Sequence, residues 1–258
     1  MKRSFKKRNA LLIFIGFFLF VVIYNNQTVT VNQQDKQYLQ LFLNDWNIHQ
    51  TPKEVHQSFE SEVSFISRVQ DSVIAQVQHR NIPHQDFGNV AYYYSDKKGQ
   101  CYDRAVLLEK FFTYYHFPFR HLYVYFNDNG IGPTKLDFFK KSLTSHAITE
   151  VKTSKGWLIV GCNSNWLGLD SSGNPMTIAE LRKHIVSNTL YLKKPATMGQ
   201  PSFWTLHNDF RFIYGIYSRH GDFFNHTNQN LSAASVAPSS FHVLPDYNLR
   251  MLFYNLFN

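Results

Sequence analysis

The chain has 258 residues, of which 44% are hydrophobic and 17% aromatic, with a net charge of +8. That is enough apolar material for a sizeable core in one moderate domain with an attachment, or in two small domains, and it excludes a disordered or repetitive chain. Lys2, Arg3, Lys6, Lys7 and Arg8 supply five of those charges within the first nine residues, leaving +3 for the remainder, and no Lys/Arg stripe with interleaved aromatics follows, so nucleic-acid binding is not expected.

Two cysteines allow at most one disulfide, and no C-x-x-C occurs. The twelve His include no H-E-x-x-H and no clustered His/Cys spacing, so neither a metal nor another cofactor is expected.

In chain order, the basic flank (1–9) precedes residues 10–24, "ALLIFIGFFLFVVIY", fifteen apolar residues. That length lies between a signal-peptide core and a spanning helix. No small-x-small cleavage pattern follows, which favours an uncleaved signal anchor over a cleaved signal peptide. The basic flank then puts the N-terminus in the cytoplasm and the body on the extracytoplasmic side, periplasmic or extracellular. Residues 25–50, rich in Asn and Gln, read as a polar linker, and residues 51–258 as one domain.

Thr51, Pro52 and Glu54 form a capping box with proline at the first helical position. Phe59, Val63, Ile66, Val69, Ile74 and Val77 extend helical periodicity from about 52 to 80. After the Tyr92–Tyr94 run, read as core and cleft wall, Cys101, Ala105, Leu108 and Phe112 line one face of another helix, which Pro118 ends. Strands are expected at 121–126, 144–152 and 157–163, the last two antiparallel about a turn at 153–156. Thr177 and Glu180 cap a helix over 177–185. Helices preceding an antiparallel sheet indicate an α+β fold.

Two blocks then resemble the transglutaminase-like superfamily. "GQCYDRAVLLEKFFTYYHFPFR" is similar to its nucleophile segment, G-x-C-x-D-x-A followed by a helix and G-I-P-x-R, with Gly99, Cys101, Asp103, Ala105, Pro118 and Arg120 matching. "SHAITEVKTSKGWLIVG" is similar to the second block, H-x-W-x-E-V then G-W, with His146, Glu150, Val151, Gly156 and Trp157 matching. His116, Phe117 and Ile148 depart from the pattern. The resemblance spans residues 95–165 and implies a papain-like core, a Cys helix packed on an antiparallel sheet. It also implies hydrolysis or transamidation of a peptide or protein amide through Cys101 and His146.

The physics suits those roles. A helix N-terminus presents free N–H groups and partial positive charge, which favour a thiolate at Cys101. His146 on a neighbouring strand is the candidate base. The Cys101 N–H and the Gln100 side chain are candidate oxyanion donors. Asp103 opposes the thiolate, so its expected role is to complement the helix dipole or anchor a neighbour such as Arg120. The family's third residue, an Asp, falls on Gly161. Strand alternation offers Asn163 as the group to orient His146, and assigns Cys162 to the opposite face as a buried small hydrophobe. The Asp-to-Gly departure also supports a second expectation, a non-catalytic binding module of the same fold in a cell-envelope assembly.

Overall fold

A computed structural model describes residues 29–80, 88–126, 144–186, 210–214, 217–219 and 222–224. Its helices are α1 (Gln33–Asp45), α2 (Pro52–Val55), α3 (Phe59–Gln76), α4 (Val90–Asp96), α5 (Cys101–Tyr114) and α6 (Ile178–Val186). Its strands are β1 (Gln78–His79), β2 (Lys98–Gly99), β3 (Phe119–Phe126), β4 (Thr144–Thr153), β5 (Gly156–Val160), β6 (Arg211–Tyr214), β7 (Tyr217–Arg219) and β8 (Asp222–Phe224). The fold is α+β around an antiparallel sheet of order β5-β4-β3-β6.

Residues 29–50, expected as a linker, belong instead to the body. Asn32 and Asp35 cap α1 reciprocally, and Leu39, Phe42 and Leu43 bury its inner face. The Asn/Gln-rich composition masks a helical spacing of apolar residues. Lys110 on α5 ties α1 down through a buried ion pair with Asp35 at 2.7 Å. The anchor segment 10–24 lies outside the described residues, among which no helix is long and apolar enough to cross a membrane.

The helix expected over 52–80 is two helices. The Thr51–Glu54 capping box forms as expected. A second cap then interrupts the run: Ser58 Oγ accepts from the Ser61 N–H and starts α3. The expected strand 157–163 stops at Val160. The Thr177–Glu180 capping box holds the start of α6.

Strand alternation divides β4 between two cores. Ala147 and Val151 pack on the α5 side together with Leu107, Leu108 and Phe111. On that side Glu109 Oε1, from α5, takes hydrogen bonds from His121 Nδ1 and Thr149 Oγ1, each at 2.6 Å, pinning helix to sheet. Ile148 joins the other core with Leu122, Val124, Ile159 and Leu181. Glu150 lies on that second face, paired with Arg120 and accepting the Ile178 N–H.

Candidate functional site

The site forms where α5 begins. β1 and β2 are two-residue strands paired in parallel, His79 opposite Gly99. Gly99 allows the close approach: a Cβ there would lie 2.8 Å from the Asp103 Cβ and 3.3 Å from Val77. Gln100 is the N-cap of α5 and Cys101 its first residue. The Asp103 carboxylate accepts the Gln100 N–H at 2.8 Å and the Tyr93 hydroxyl at 3.1 Å. Asp103 therefore complements the helix N-terminus, while Arg120, its other proposed partner, binds Glu150. Tyr93 from the aromatic run is fully buried, which fits its reading as core.

Cys101 is part-buried, and the protein around its sulfur pushes its pKa up; the backbone amides of Ala147 and Tyr102 pull against that shift. Its thiol thus lies beside the His146–Ala147 peptide. The sulfur within reach of the His146 Nε2, however, is that of Cys162, at 3.8 Å. Cys162 is fully buried, as a small hydrophobe would be, and donates to the Ala147 carbonyl at 2.9 Å. It keeps the core face of Leu158 and Val160, as alternation expects, although β5 has already ended. Burial drives the Cys162 pKa well above the ordinary thiol value.

A buried amide and a glycine shape that turn. Gln70 Nε2 donates to the carbonyls of Gly161, Ser164 and Trp166, at 2.7, 3.3 and 2.7 Å. The Gly161 N–H returns to Trp166 O. A Cβ at Gly161 would meet Ser164 O at 3.0 Å and Trp166 O at 3.3 Å. The position where the family has its Asp is therefore too tight for a side chain, and a carboxylate there would face carbonyl oxygens. Gly161→Asp is expected to lower stability by about 1–3 kcal/mol through overpacking without quickening the chemistry of Cys101. Urea midpoints and alkylation rates check this; a stable, faster-reacting variant contradicts it.

Asn163 points its Oδ1 at Arg104, accepting from Nη1 at 3.1 Å. Arg104 is a residue the sequence did not single out. Its guanidinium is buried, donates to the Val77, Ile74 and Cys162 carbonyls, and so clips the end of α3 to the 161–166 turn. The exposed carbonyls at a helix end suit such a cation. Burial lowers the His146 pKa to about 4, and the nearby His79 and Arg104 charges add to that. At neutral pH the site therefore holds a neutral imidazole and protonated thiols.

Among the described residues no group of three or more His, Cys, Asp or Glu is placed to hold a metal ion. A cavity of about 700 Å³ lies at the far end of α5, walled by Thr51, Pro52, Thr113 and His116, and includes none of the candidate site residues. No family model, curated protein or solved structure matches the chain.

Proposed function

We propose that the chain is a transglutaminase-like thiol enzyme acting on an amide or related acyl bond of a peptide or protein, with Cys101 as nucleophile and His146 as base. The observation that carries this reading is the seat of Cys101: first residue of a buried helix, part-open to solvent, beside the His146–Ala147 peptide, with backbone amides directed at its sulfur. The Cys helix against an antiparallel sheet also supports a papain-like core. Residues 10–24 would anchor the body on the extracytoplasmic face of a membrane.

With both groups neutral at rest, His146 takes the thiol proton as the sulfur attacks the carbonyl carbon, and returns it to the leaving group. The Cys101 N–H and Gln100 would bear the oxyanion. The acyl group passes to Cys101 and then to water or an amine. In this reading the base works from a pocket flanked by the Arg104 guanidinium.

A specific observation favours the second reading, a non-catalytic module in an envelope assembly: the His146 Nε2 faces the inert Cys162. Alkylation by iodoacetamide separates the two. Because Cys162 is fully buried, selectivity for Cys101 alone decides nothing. The enzyme reading requires His146→Ala to slow Cys101 alkylation at neutral pH by roughly tenfold or more, the scale of a lost general base. An unchanged rate selects the binding module.

A further inference from the structure

We infer that Cys101 and Cys162 form a peroxide-sensitive thiol pair, in which Cys101 is oxidised first and Cys162 resolves it to a reversible disulfide. Both are free thiols in this structure. Their sulfurs meet at one residue of β4. The β4–β5 ladder ends at the Thr149–Val160 pair, and the same register carried two residues further sets Cys162 opposite Ala147. β5 has stopped there, and sulfur takes the place of a strand on the bonding edge of Ala147. The Cys162 thiol donates to the Ala147 carbonyl at 2.9 Å, and the Ala147 N–H is directed at the Cys101 sulfur. The N–H and C=O of one strand residue leave on the same edge, so the two sulfurs stand side by side along it.

Other contacts fasten the same stretches together. Arg104 follows Cys101 by three residues, which places it beside Cys101 on one face of α5. Its Nη1 donates to the Cys162 carbonyl at 3.4 Å and to Asn163 Oδ1 at 3.1 Å. The main chain at 162 is thereby tied to the first turn of α5. Ala147 and Cys162 belong to the core on the α5 side of the sheet, and Cys101 packs against that core.

The two thiols differ in access, and that sets the order of events. Cys101 is part-open to solvent and Cys162 is fully buried. A hydroperoxide therefore reaches Cys101. Its sulfur attacks a peroxide oxygen: S–O forms, O–O breaks, and the thiol proton leaves with the departing oxygen as water or an alcohol. Sulfur is oxidised to a sulfenic acid and the peroxide is reduced. Cys162, closed to reagents in solution, then attacks the Cys101 sulfur from inside the fold. S–S forms, S–O breaks, and hydroxide leaves as water with the Cys162 proton. Burial raises the Cys101 pKa, so the first step is slow, while the second has its partner already in place. An external thiol reopens the disulfide, whereas a sulfenic acid left unresolved passes on to sulfinic acid, which no thiol reverses. The pair works in this way whether or not Cys101 also attacks an amide.

The test treats the full-length chain in mild detergent with hydrogen peroxide, blocks remaining thiols with N-ethylmaleimide in urea, and reads peptides by mass spectrometry without reductant. The folded wild type is expected to yield a peptide pair joined from Cys101 to Cys162 within one chain, and to lose it on treatment with dithiothreitol. In Cys162→Ala that recovery is expected to be lost: dimedone traps Cys101 as sulfenic acid, and without dimedone the residue ends as sulfinic and sulfonic acid. The wild type unfolded in urea before oxidation is expected to give much less of the joined pair. Folded wild type that carries Cys101 to sulfinic acid as fast as Cys162→Ala, with no joined pair, overturns the proposal. So does a joined pair found only between two chains, or one no more abundant in the folded chain than in the unfolded one. None of these results bears on the Cys101–His146 reading, which the alkylation rate of His146→Ala decides separately.

Discussion

Replacing Glu150 with Ala is expected to destabilise the protein by about 3–5 kcal/mol, the range for breaking a buried ion pair from one side. Glu150 is fully buried and directly opposite Arg120 across the β3–β4 pair. Its carboxylate does two jobs. One oxygen pairs with the Arg120 guanidinium, and the other accepts the Ile178 N–H at the start of α6. Without it Arg120 stays wedged over the Trp157 and Tyr214 rings, at 4.2 and 4.4 Å, with no counter-charge, and a helix-end N–H loses its acceptor. Burial raises the Glu150 pKa, and Arg120 opposes that shift without cancelling it. Removing both partners should therefore cost much less. Urea unfolding of Glu150→Ala against the double variant Arg120→Met/Glu150→Leu measures the difference. Equal losses in the two would show that packing, rather than an orphaned charge, sets the effect.

The same pair shows what the sequence could and could not convey. Arg120 and Glu150 match the resembling blocks, and their positions in adjacent strands follow from period-two alternation on either side of a loop. Caps were equally legible at Thr51 and Thr177, because the cap chemistry is local. The start of α5 was legible for the same reason: Gly99 and Asp103 mark it within five residues. Legibility failed where the outcome depended on contacts distant in sequence. Alternation put Cys162 on the face of Leu158 and Val160 but not within reach of His146, since the turn beyond Val160 is shaped by Gln70, ninety-one residues from Gly161, gathering three carbonyls. Asn163 was expected at His146, but the buried Arg104 takes its side-chain oxygen. The N-terminal Gln-rich segment hid α1 because hydrophilic composition outweighed three buried apolar positions, Leu39, Phe42 and Leu43, that pack against other helices. Local chemistry thus reads directly from the chain. The electrostatic setting of the site, made by Arg104 and His79 from elsewhere in the sequence, does not.

That setting yields a pH dependence with a definite sign. His146 has a folded pKa of about 4 against an ordinary 6.5. Above pH 6.5 both folded and unfolded chains keep it neutral, and it leaves stability unchanged. As pH falls below 6.5 the unfolded chain takes up a proton that the folded one refuses, so stability drops until the folded pKa is passed. Between pH 7 and pH 5 the loss attributable to this residue is about 2 kcal/mol, at 1.36 kcal/mol per pKa unit. His79, also depressed by burial, adds in the same direction, while Asp71 and Glu150, whose pKa values are raised, contribute with the opposite sign. Comparing wild type with His146→Gln cancels those common contributions. Urea unfolding at pH 7 and pH 5 is expected to show the wild type losing about 2 kcal/mol more than the variant. Parallel losses in the two would mean that the imidazole protonates in the folded protein near its ordinary value. The pocket would then hold an imidazolium at mildly acidic pH, and a resting thiolate–imidazolium pair, rather than proton transfer at the moment of attack, would become the starting state of the chemistry at Cys101.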